Sequence, residues 1–235
     1  MFRVTRGVVV TVLLSVTLSA AARAQWRGLR EVSPSNGPVA GIDLIFGVPQ
    51  GQFHQFVQSV GGFGGFLTVP LDRHGVLGLR VDGSMVFHGG DCYQACNLET
   101  SSYIGSLRLG PQITLGHGRI RAYGLATAGF SYFATDVSDH YDCGCFDPWY
   151  SDGGSTTLLD DFTGSWEAGG GLQLFLGRRQ RIAVDLSVRY ENNGRATYLN
   201  NASVTSNGDG TFTVAPLRTS ANLILYHVGV SFALP

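Results

Sequence analysis

The sequence predicts an all-β fold: an eight-stranded antiparallel up-and-down β-barrel that spans a membrane. Three observations predict it. Apolar residues alternate with small or polar ones along eight segments, the connections between those segments alternate in length, and the composition suits a lipid-facing surface. Charged residues are 14% of the chain, against roughly 25% in ordinary soluble domains, whereas 44% of residues are hydrophobic and 33 are glycine.

The N-terminal residues have the pattern of a secretory signal peptide. Arg3 and Arg6 precede a short apolar run, and Ala22-Arg23-Ala24 has the small-x-small form that signal peptidase cleaves. The run is short for the alternative, a membrane anchor of roughly 20 residues. No Pro-rich or Ser-rich linker divides the rest. We therefore expect a signal peptide at 1–24, a periplasmic N-terminal segment at 25–38 and one outer-membrane barrel domain at 39–235.

After Ala24 the sequence contains no apolar stretch long enough for a transmembrane helix. A closed barrel then remains as the way to pair every backbone N–H and C=O inside a bilayer. The net charge of −1 gives no basic patch for nucleic acid, so we expect no nucleic-acid partner. No cofactor motif is present.

The first four strands begin near Val39, Val60, Val76 and Ser102, and each sends alternate side chains to opposite faces. Their apolar faces carry Ile42, Leu44, Phe46 and Val48; Phe63, Leu67, Val69 and Leu71; Leu77, Leu79, Val81, Met85 and Phe87; and Tyr103, Leu107, Leu109, Ile113 and Leu115. Pro111 within the fourth strand predicts a bulge or a local kink.

The last four strands follow the same pattern and begin near Ile120, Gly164, Ile182 and Ala221. The fifth has many small residues, so we fix its parity by placing Arg121 inward and Phe130 and Tyr132 outward. The other apolar faces carry Trp166, Ala168, Leu172, Leu174 and Leu176; Ile182, Val184, Leu186, Val188 and Tyr190; and Ile224, Tyr226, Val228, Val230 and Phe232.

The connections alternate in length around the predicted barrel. Tight turns at 72–75, 116–119 and 177–180 alternate with long connections at 49–59, 88–101, 134–163 and 191–220. Outer-membrane barrels have short periplasmic turns and long extracellular loops, so the long connections are assigned to the outside. In the last one, Asn207-Gly208-Asp209-Gly210 predicts a projecting β-hairpin.

With this strand count, loop alternation and signal peptide, the chain resembles the small eight-stranded outer-membrane barrels, the OmpA-transmembrane-domain and OmpX-like class, over roughly 39–232. The resemblance implies localisation in a Gram-negative outer membrane and contact with the barrel-assembly machinery, which reads alternating hydrophobics in the last strand. Here that signal is Tyr226, Val228, Val230 and Phe232. The sequence departs from the family pattern by continuing with Ala233-Leu234-Pro235.

Nine titratable residues share the predicted inward face: Asp43, Arg80, Asp82, Arg108, Arg121, Glu167, Asp185, Arg189 and His227. They indicate either a salt-bridged plug or a gated pore or proton path. We favour the plug, because eight strands leave an interior barely wide enough for side chains and Arg forms bidentate pairs with carboxylates that suit such a space.

The second and third long connections hold Cys92, Cys96, Cys143 and Cys145, which in an exported chain predict disulfides with three possible connectivities. Pairing between the two connections is favoured, because a Cys143–Cys145 bridge closes a strained ring. A metal site is the alternative, but the spacing fits no standard zinc pattern.

The same two connections hold nine acids and no Arg: Asp91, Glu99, Asp136, Asp139, Asp142, Asp147, Asp152, Asp160 and Asp161. They form a solvated acidic surface or, alternatively, a Ca²⁺ site. The tight turns carry Arg73, Arg119, Arg178 and Arg179, which either contact anionic headgroups or stay hydrated.

The leading functional hypothesis is a non-enzymatic outer-membrane barrel with a structural or surface-contact role through acidic, disulfide-tied extracellular loops. Three alternatives stay open: a narrow ion or solute channel, a lipid-modifying enzyme and a soluble lipocalin-like barrel. His227 and Ser231 share the inward face, but four residues along a strand is too far for a direct hydrogen bond, and no Ser-His-acid set stands at a recognisable spacing.

Overall fold

The fold is a closed antiparallel barrel of eight strands, as the sequence predicts. The computed structural model describes residues 37–55, 57–93, 98–116, 118–139, 155–177, 180–198, 204–206, 212–214 and 216–234, so the predicted signal peptide lies outside the described residues. The barrel strands are β1 (Val39–Gln50), β2 (Val60–Pro70), β3 (Leu77–Tyr93), β4 (Leu98–Leu115), β5 (Ile120–Asp139), β6 (Ser155–Leu176), β7 (Ile182–Asn193) and β12 (Asn222–Ala233).

Four short strands lie between β7 and β12: β8 (Arg195–Tyr198), β9 (Val204–Ser206), β10 (Phe212–Val214) and β11 (Leu217–Ser220). β8 pairs with β11, and β9 pairs with β10 through Phe212 opposite Ser206. The predicted hairpin is therefore confirmed in its two strands. A single 3-10 turn, Phe53–Gln55, follows β1. Within the described ranges, no helix is long and apolar enough to cross a membrane.

Closure joins the first strand to the last. β1 pairs with β12 over its whole length, with Leu44 opposite Val228, and every other barrel strand pairs with its neighbours in the chain. Closure leaves no open sheet edge in the barrel wall, which is what lipid requires of a spanning sheet.

The three tight turns lie at one end of the barrel, beside residues 37 and 234. Gly116 and Gly177 have φ values of +96° and +71°, a region that glycine adopts without strain. A Cβ on Gly116 would also lie 2.9 Å from the carbonyl oxygen of Ile120. The 3-10 turn and the two short hairpins lie at the opposite end, so the predicted alternation of connections is present.

The outer wall of the barrel is apolar. Ile42 is 67% exposed, Leu186 40% and Val228 48%, although all three belong to regular strands. Aromatic rings form a row across the wall towards the long connections, with Tyr103 6.3 Å from Tyr132, and Tyr132 4.8 Å from Phe162. An apolar belt edged by aromatic residues is the pattern of a lipid-facing barrel. The predicted outward faces of all eight strands are confirmed.

Four strands extend furthest beyond their predicted ends. β3, β4, β5 and β6 continue beyond the apolar belt, so the expected loops at 88–101 and 134–163 are in good part strand; Phe133 still pairs with Asp161. Where a strand leaves the lipid, its outward positions no longer need to be apolar, so the alternation disappears from the sequence although backbone pairing continues. Register shifts at His88/Gly90 and Thr135/Asp136 lie in these extensions, and bulges are common at barrel rims.

The proline in β4 interrupts pairing without a bulge. The pairing of β4 with β5 stops after Leu109 opposite Ala128, omits Gly110 and Pro111, and resumes at Gln112 opposite Leu125. The register is the same on both sides of this gap. Proline has no N–H to donate, so the ladder loses a bond there without gaining a residue. The unchanged register rules out the predicted bulge, and the alternative, a local kink, stays a prediction.

Candidate functional site: the barrel interior

All nine predicted inward residues lie inside the barrel. Their exposed fractions are 7% for Asp43, 0% for Arg80, 4% for Asp82, 2% for Arg108, 6% for Arg121, 0% for Glu167, 1% for Asp185, 2% for Arg189 and 3% for His227. They come from seven strands because every second residue of a strand points inward. Their partners are largely one another.

Arg189 of β7 joins carboxylates from three strands. Its Nη1 donates to Asp82 Oδ1 at 3.1 Å and to Glu167 Oε1 at 3.0 Å, and its Nη2 lies 3.8 Å from Asp43 Oδ2. The Nε atom donates to Ser187 at 3.0 Å. Glu167 belongs to the neighbouring strand β6 and Asp43 to β1, two strands away, whereas Asp82 belongs to β3, four strands away in the closed order. Arg189 therefore joins opposite walls of the barrel through Asp82.

Arg80 and Arg108 extend this network to both sides of Arg189. Arg80 Nε donates to both oxygens of Asp82 at 2.9 Å. Arg108 lies 3.0 Å from Glu167 Oε2 and 3.0 Å from Glu191 Oε1. We call Asp43, Arg80, Asp82, Arg108, Glu167, Arg189, Glu191 and His227 the ionic layer.

Glu191 belongs to the ionic layer but was assigned to a long connection at the sequence level. It is 1% exposed, and its Oε1 accepts the Asn193 side-chain N–H at 2.9 Å. β7 continues to Asn193, so the inward series of Asp185, Ser187 and Arg189 reaches both residues. Continuing the two-residue period past Tyr190 would have found them.

Asp185 has neutral partners. The Tyr123 hydroxyl donates to its Oδ1 at 2.6 Å, and Gln173 Nε2 donates to its Oδ2 at 2.9 Å. Tyr123 shares the parity of Arg121, so the sequence contained this signal, although an inward aromatic runs against the rule that aromatic rings face lipid. Among the described residues, the structure gives Asp185 no Arg within salt-bridge distance.

His227 and Asp43 form a buried pair, with Nδ1 of the ring 3.1 Å from Asp43 Oδ2. Ser231 is 0% exposed, and among the described residues its Oγ has no hydrogen-bond partner and neither has His227 Nε2. Serine, histidine and acid therefore do not form a hydrogen-bonded triad, which agrees with the spacing argument.

An apolar cluster fills the interior on the long-connection side of the ionic layer. We call it the apolar cap; it comprises Ile45, Phe53, Val57, Val60, Val86, Ile104, Phe133, Ala196, Ala221, Leu223 and Leu225. Phe53, from the 3-10 turn, is 0% exposed, and its ring lies 5.3 Å from that of His88. The two-residue period of the first strand predicts Ile45 inside, but the other large members of the cap were not predicted as inward residues.

Polar side chains line the opposite end of the interior. Gln112 Oε1 accepts from Arg80 at 2.9 Å and from Thr68 at 3.2 Å, and the Arg121 guanidinium lies 4.1 Å from the centre of the Phe175 ring. A cavity of about 30 Å³ between them is lined by Gln112, Arg121 and Gln173, among others. This is room for about two waters.

The predicted cysteine and acidic sites lie mostly beyond the described residues. Cys96, Cys143 and Cys145 are outside them, and Cys92 is described only by its backbone pairing with Glu99. The disulfide prediction therefore stays a prediction. In the described part of the chain, no group of three or more His, Cys, Asp or Glu residues is arranged to hold a metal ion.

Asp161, from the acidic set, holds β8 against β6. Its Oδ2 accepts the Thr197 backbone N–H at 2.8 Å, and its Oδ1 accepts the Phe162 N–H at 2.8 Å. These bonds favour the charged carboxylate and hold the pKa of Asp161 below its usual range, chiefly through Thr197.

No known protein family and no curated protein matches the sequence. The chain is similar in structure to the attachment invasion locus protein Ail of Yersinia pestis, at 12% identity and a TM-score of 0.47 over 84% of this chain and 98% of that one. Neisserial surface protein A is similar at 12% identity and a TM-score of 0.45, over 85% of this chain and 99% of that one. The outer membrane protease OmpT of Escherichia coli is similar at 9% identity and a TM-score of 0.39, over 88% of this chain and 99% of that one. These values are too low to transfer an activity, and the fold rests on the pairing of the strands themselves.

Proposed function

We propose that this chain is a non-enzymatic outer-membrane protein whose sealed barrel anchors extracellular segments for a structural or surface-contact role. The ionic layer is the observation that carries this proposal. Its side chains come from six of the eight barrel strands, are at most 7% exposed and are linked across the lumen. An interior filled in this way supports a plug over an open pore.

The apolar cap supports the same function independently. A permeating ion would have to pass Phe53, Ile104 and Leu225, each no more than 1% exposed, without polar groups to replace its hydration shell. The channel alternative therefore requires both the cap and the ionic layer to rearrange. The soluble lipocalin-like alternative requires a polar exterior, and the exposed Ile42, Leu44 and Phe46 contradict it.

A surface role is supported by the four strands that rise beyond the belt. β5 and β6 remain paired as far as Ser138 opposite Ser155, and Asp161 fixes β8 beside them. The barrel thus holds a β-sheet extension outside the membrane, and the acidic connections continue from it. Such a rigid base presents the loops at a fixed height.

Two measurements test the proposal. In planar bilayers, the purified wild-type barrel is expected to show no conductance steps, and the same result is expected for Arg80→Ala, because the cap stays in place. Regular steps in the wild type would refute the sealed barrel. For the surface role, cells displaying the wild type are compared with cells displaying a variant that lacks residues 140–154, at equal surface amounts. Equal adhesion to immobilised matrix proteins and to neighbouring cells would refute it.

A further inference from the structure

The tight-turn end of the barrel carries exposed arginines. Arg73 lies in the turn between β2 and β3, Arg119 in the turn between β4 and β5, and Arg181 before β7, and all three side chains are exposed. We call these three residues the basic collar. The sequence places Arg178 and Arg179 in the same turn as Arg181, outside the described residues.

Each collar residue stands beside the end of the lipid-facing belt. Leu71 is 60% exposed and precedes Arg73 by two residues, Ile120 is 61% exposed and follows Arg119, and Ile182 is 46% exposed and follows Arg181. A strand advances about 3.3 Å per residue, so these guanidinium groups lie within a few ångströms of the edge of the hydrocarbon. That is the level of the lipid headgroups, which long basic side chains reach by snorkelling.

The tight turns carry more positive than negative charge. From 72 to 75, 116 to 119 and 177 to 181 the sequence has five Arg and a single acid, Asp72. Asp72 caps its own turn, since its Oδ1 accepts the Leu77 N–H at 3.0 Å. At the other end, by contrast, the second and third long connections contain nine acids and no Arg. In the sequence, the tight turns and these two long connections therefore carry opposite net charge.

The topology spreads the collar around the barrel. Its residues lie in the three connections β2–β3, β4–β5 and β6–β7, which are two strands apart in the closed order. Charges placed at every second strand do not converge on one small ligand. They face the ring of lipids that surrounds the barrel.

From this placement we propose that the basic collar binds the phosphate groups of anionic phospholipids in the periplasmic leaflet and enriches them around the barrel. The occupant is a lipid because the collar continues the lipid-facing belt, and it is anionic because the three turns carry five Arg and one acid. The proposal rests on the membrane orientation given under the proposed function, with the tight turns in the periplasm.

The test compares lipid selectivity in wild type and two matched variants. The barrel is reconstituted in phosphatidylcholine with trace spin-labelled phosphatidylglycerol or spin-labelled phosphatidylcholine, and the motionally restricted fraction of each is measured. The collar variant is Arg73→Gln/Arg119→Gln/Arg181→Gln. The control variant, Arg195→Gln/Arg218→Gln, removes exposed arginines at the other end. Heat-modifiable gel mobility verifies that each protein is folded.

The wild type and the control variant are expected to prefer phosphatidylglycerol, and the collar variant to lose that preference, with about a fivefold fall for each arginine that is in full contact. About 1 M NaCl, where the Debye length is about 3 Å, should suppress the preference, and inorganic phosphate at matched ionic strength should not compete beyond that. Equal selectivity in all three folded proteins, or equal loss in both variants, overturns the proposal. Conductance steps together with a retained preference would instead refute only the sealed barrel.

Discussion

Replacing Arg189 with methionine removes the residue that joins the ionic layer. The substitution deletes bonds of 3.0 and 3.1 Å to Glu167 and Asp82, both buried. Each carboxylate keeps one other guanidinium, from Arg108 and Arg80 respectively. The wild-type interior contains five carboxylates and four guanidinium groups. After the substitution it still contains five carboxylates but only three guanidinium groups.

The magnitude follows from these contacts. A hydrogen bond to a charged group contributes about 1.5 to 3 kcal/mol, and breaking a buried ion pair costs about 3 to 5 kcal/mol. Glu167 and Asp82 each keep a guanidinium partner, whereas Asp43, 3.8 Å from Arg189 Nη2, keeps only its contact with His227. We therefore expect a loss of about 3 kcal/mol in the free energy of unfolding. Adding Glu167→Gln removes one unbalanced charge, so the two substitutions should couple by at least about 0.5 kcal/mol.

Reversible urea unfolding in lipid vesicles measures both quantities. Arg195→Met, at an exposed position of β8, is the matched control and should change stability by no more than about 0.5 kcal/mol. A loss below about 1 kcal/mol for Arg189→Met, or strict additivity with Glu167→Gln, would show that the ionic layer does not brace the barrel.

Three further predictions concern the wall, the cap and the extension. Leu186→Arg should destabilise the barrel in lipid by about 2 to 4 kcal/mol, and unchanged urea unfolding would argue against a mid-bilayer position. Phe53→Ala should lower the free energy of unfolding by about 3 to 5 kcal/mol in the same assay. An unchanged free energy of unfolding would show that the 3-10 turn is not packed into the lumen. Asp161→Asn should speed hydrogen exchange of the Thr197 amide. Because the folded pKa of Asp161 is lowered, its contribution is complete above the ordinary pKa and is lost as pH falls through the folded pKa. Hydrogen exchange of the Thr197 amide that is unaffected by acid or by the substitution would contradict the hydrogen bond between Asp161 and Thr197.

The sequence predicted the wall of the barrel well, because lipid imposes a strict rule on it. Every outward residue of β7 from Ile182 to Tyr190 must be apolar, and a two-residue period is visible in the letters. The inward charges followed from the same period. Pairing partners such as Arg189 and Asp82, 107 residues apart, depended on side-chain reach across the lumen, which no local pattern contains.

Two features escaped prediction for physical reasons. The apolar cap uses Phe133, an inward residue that the rule of polar interiors excludes, together with Phe53 from a connection that has no periodicity. The extensions of β3 to β6 lie in water, where both faces accept polar residues and the alternation disappears. Backbone pairing there leaves no signature in composition, and the expected loops were therefore too long.

Spin-label accessibility along β7 tests the central claim most directly. Single cysteines at 182 to 190, in a background without the four native cysteines, are labelled and reconstituted in vesicles, and collisions with oxygen in lipid are measured. High oxygen accessibility is predicted at 182, 184, 186 and 188 and low accessibility at 183, 185 and 187. The reverse phase, or no two-residue period, would contradict an exterior that faces lipid and an interior filled by charge.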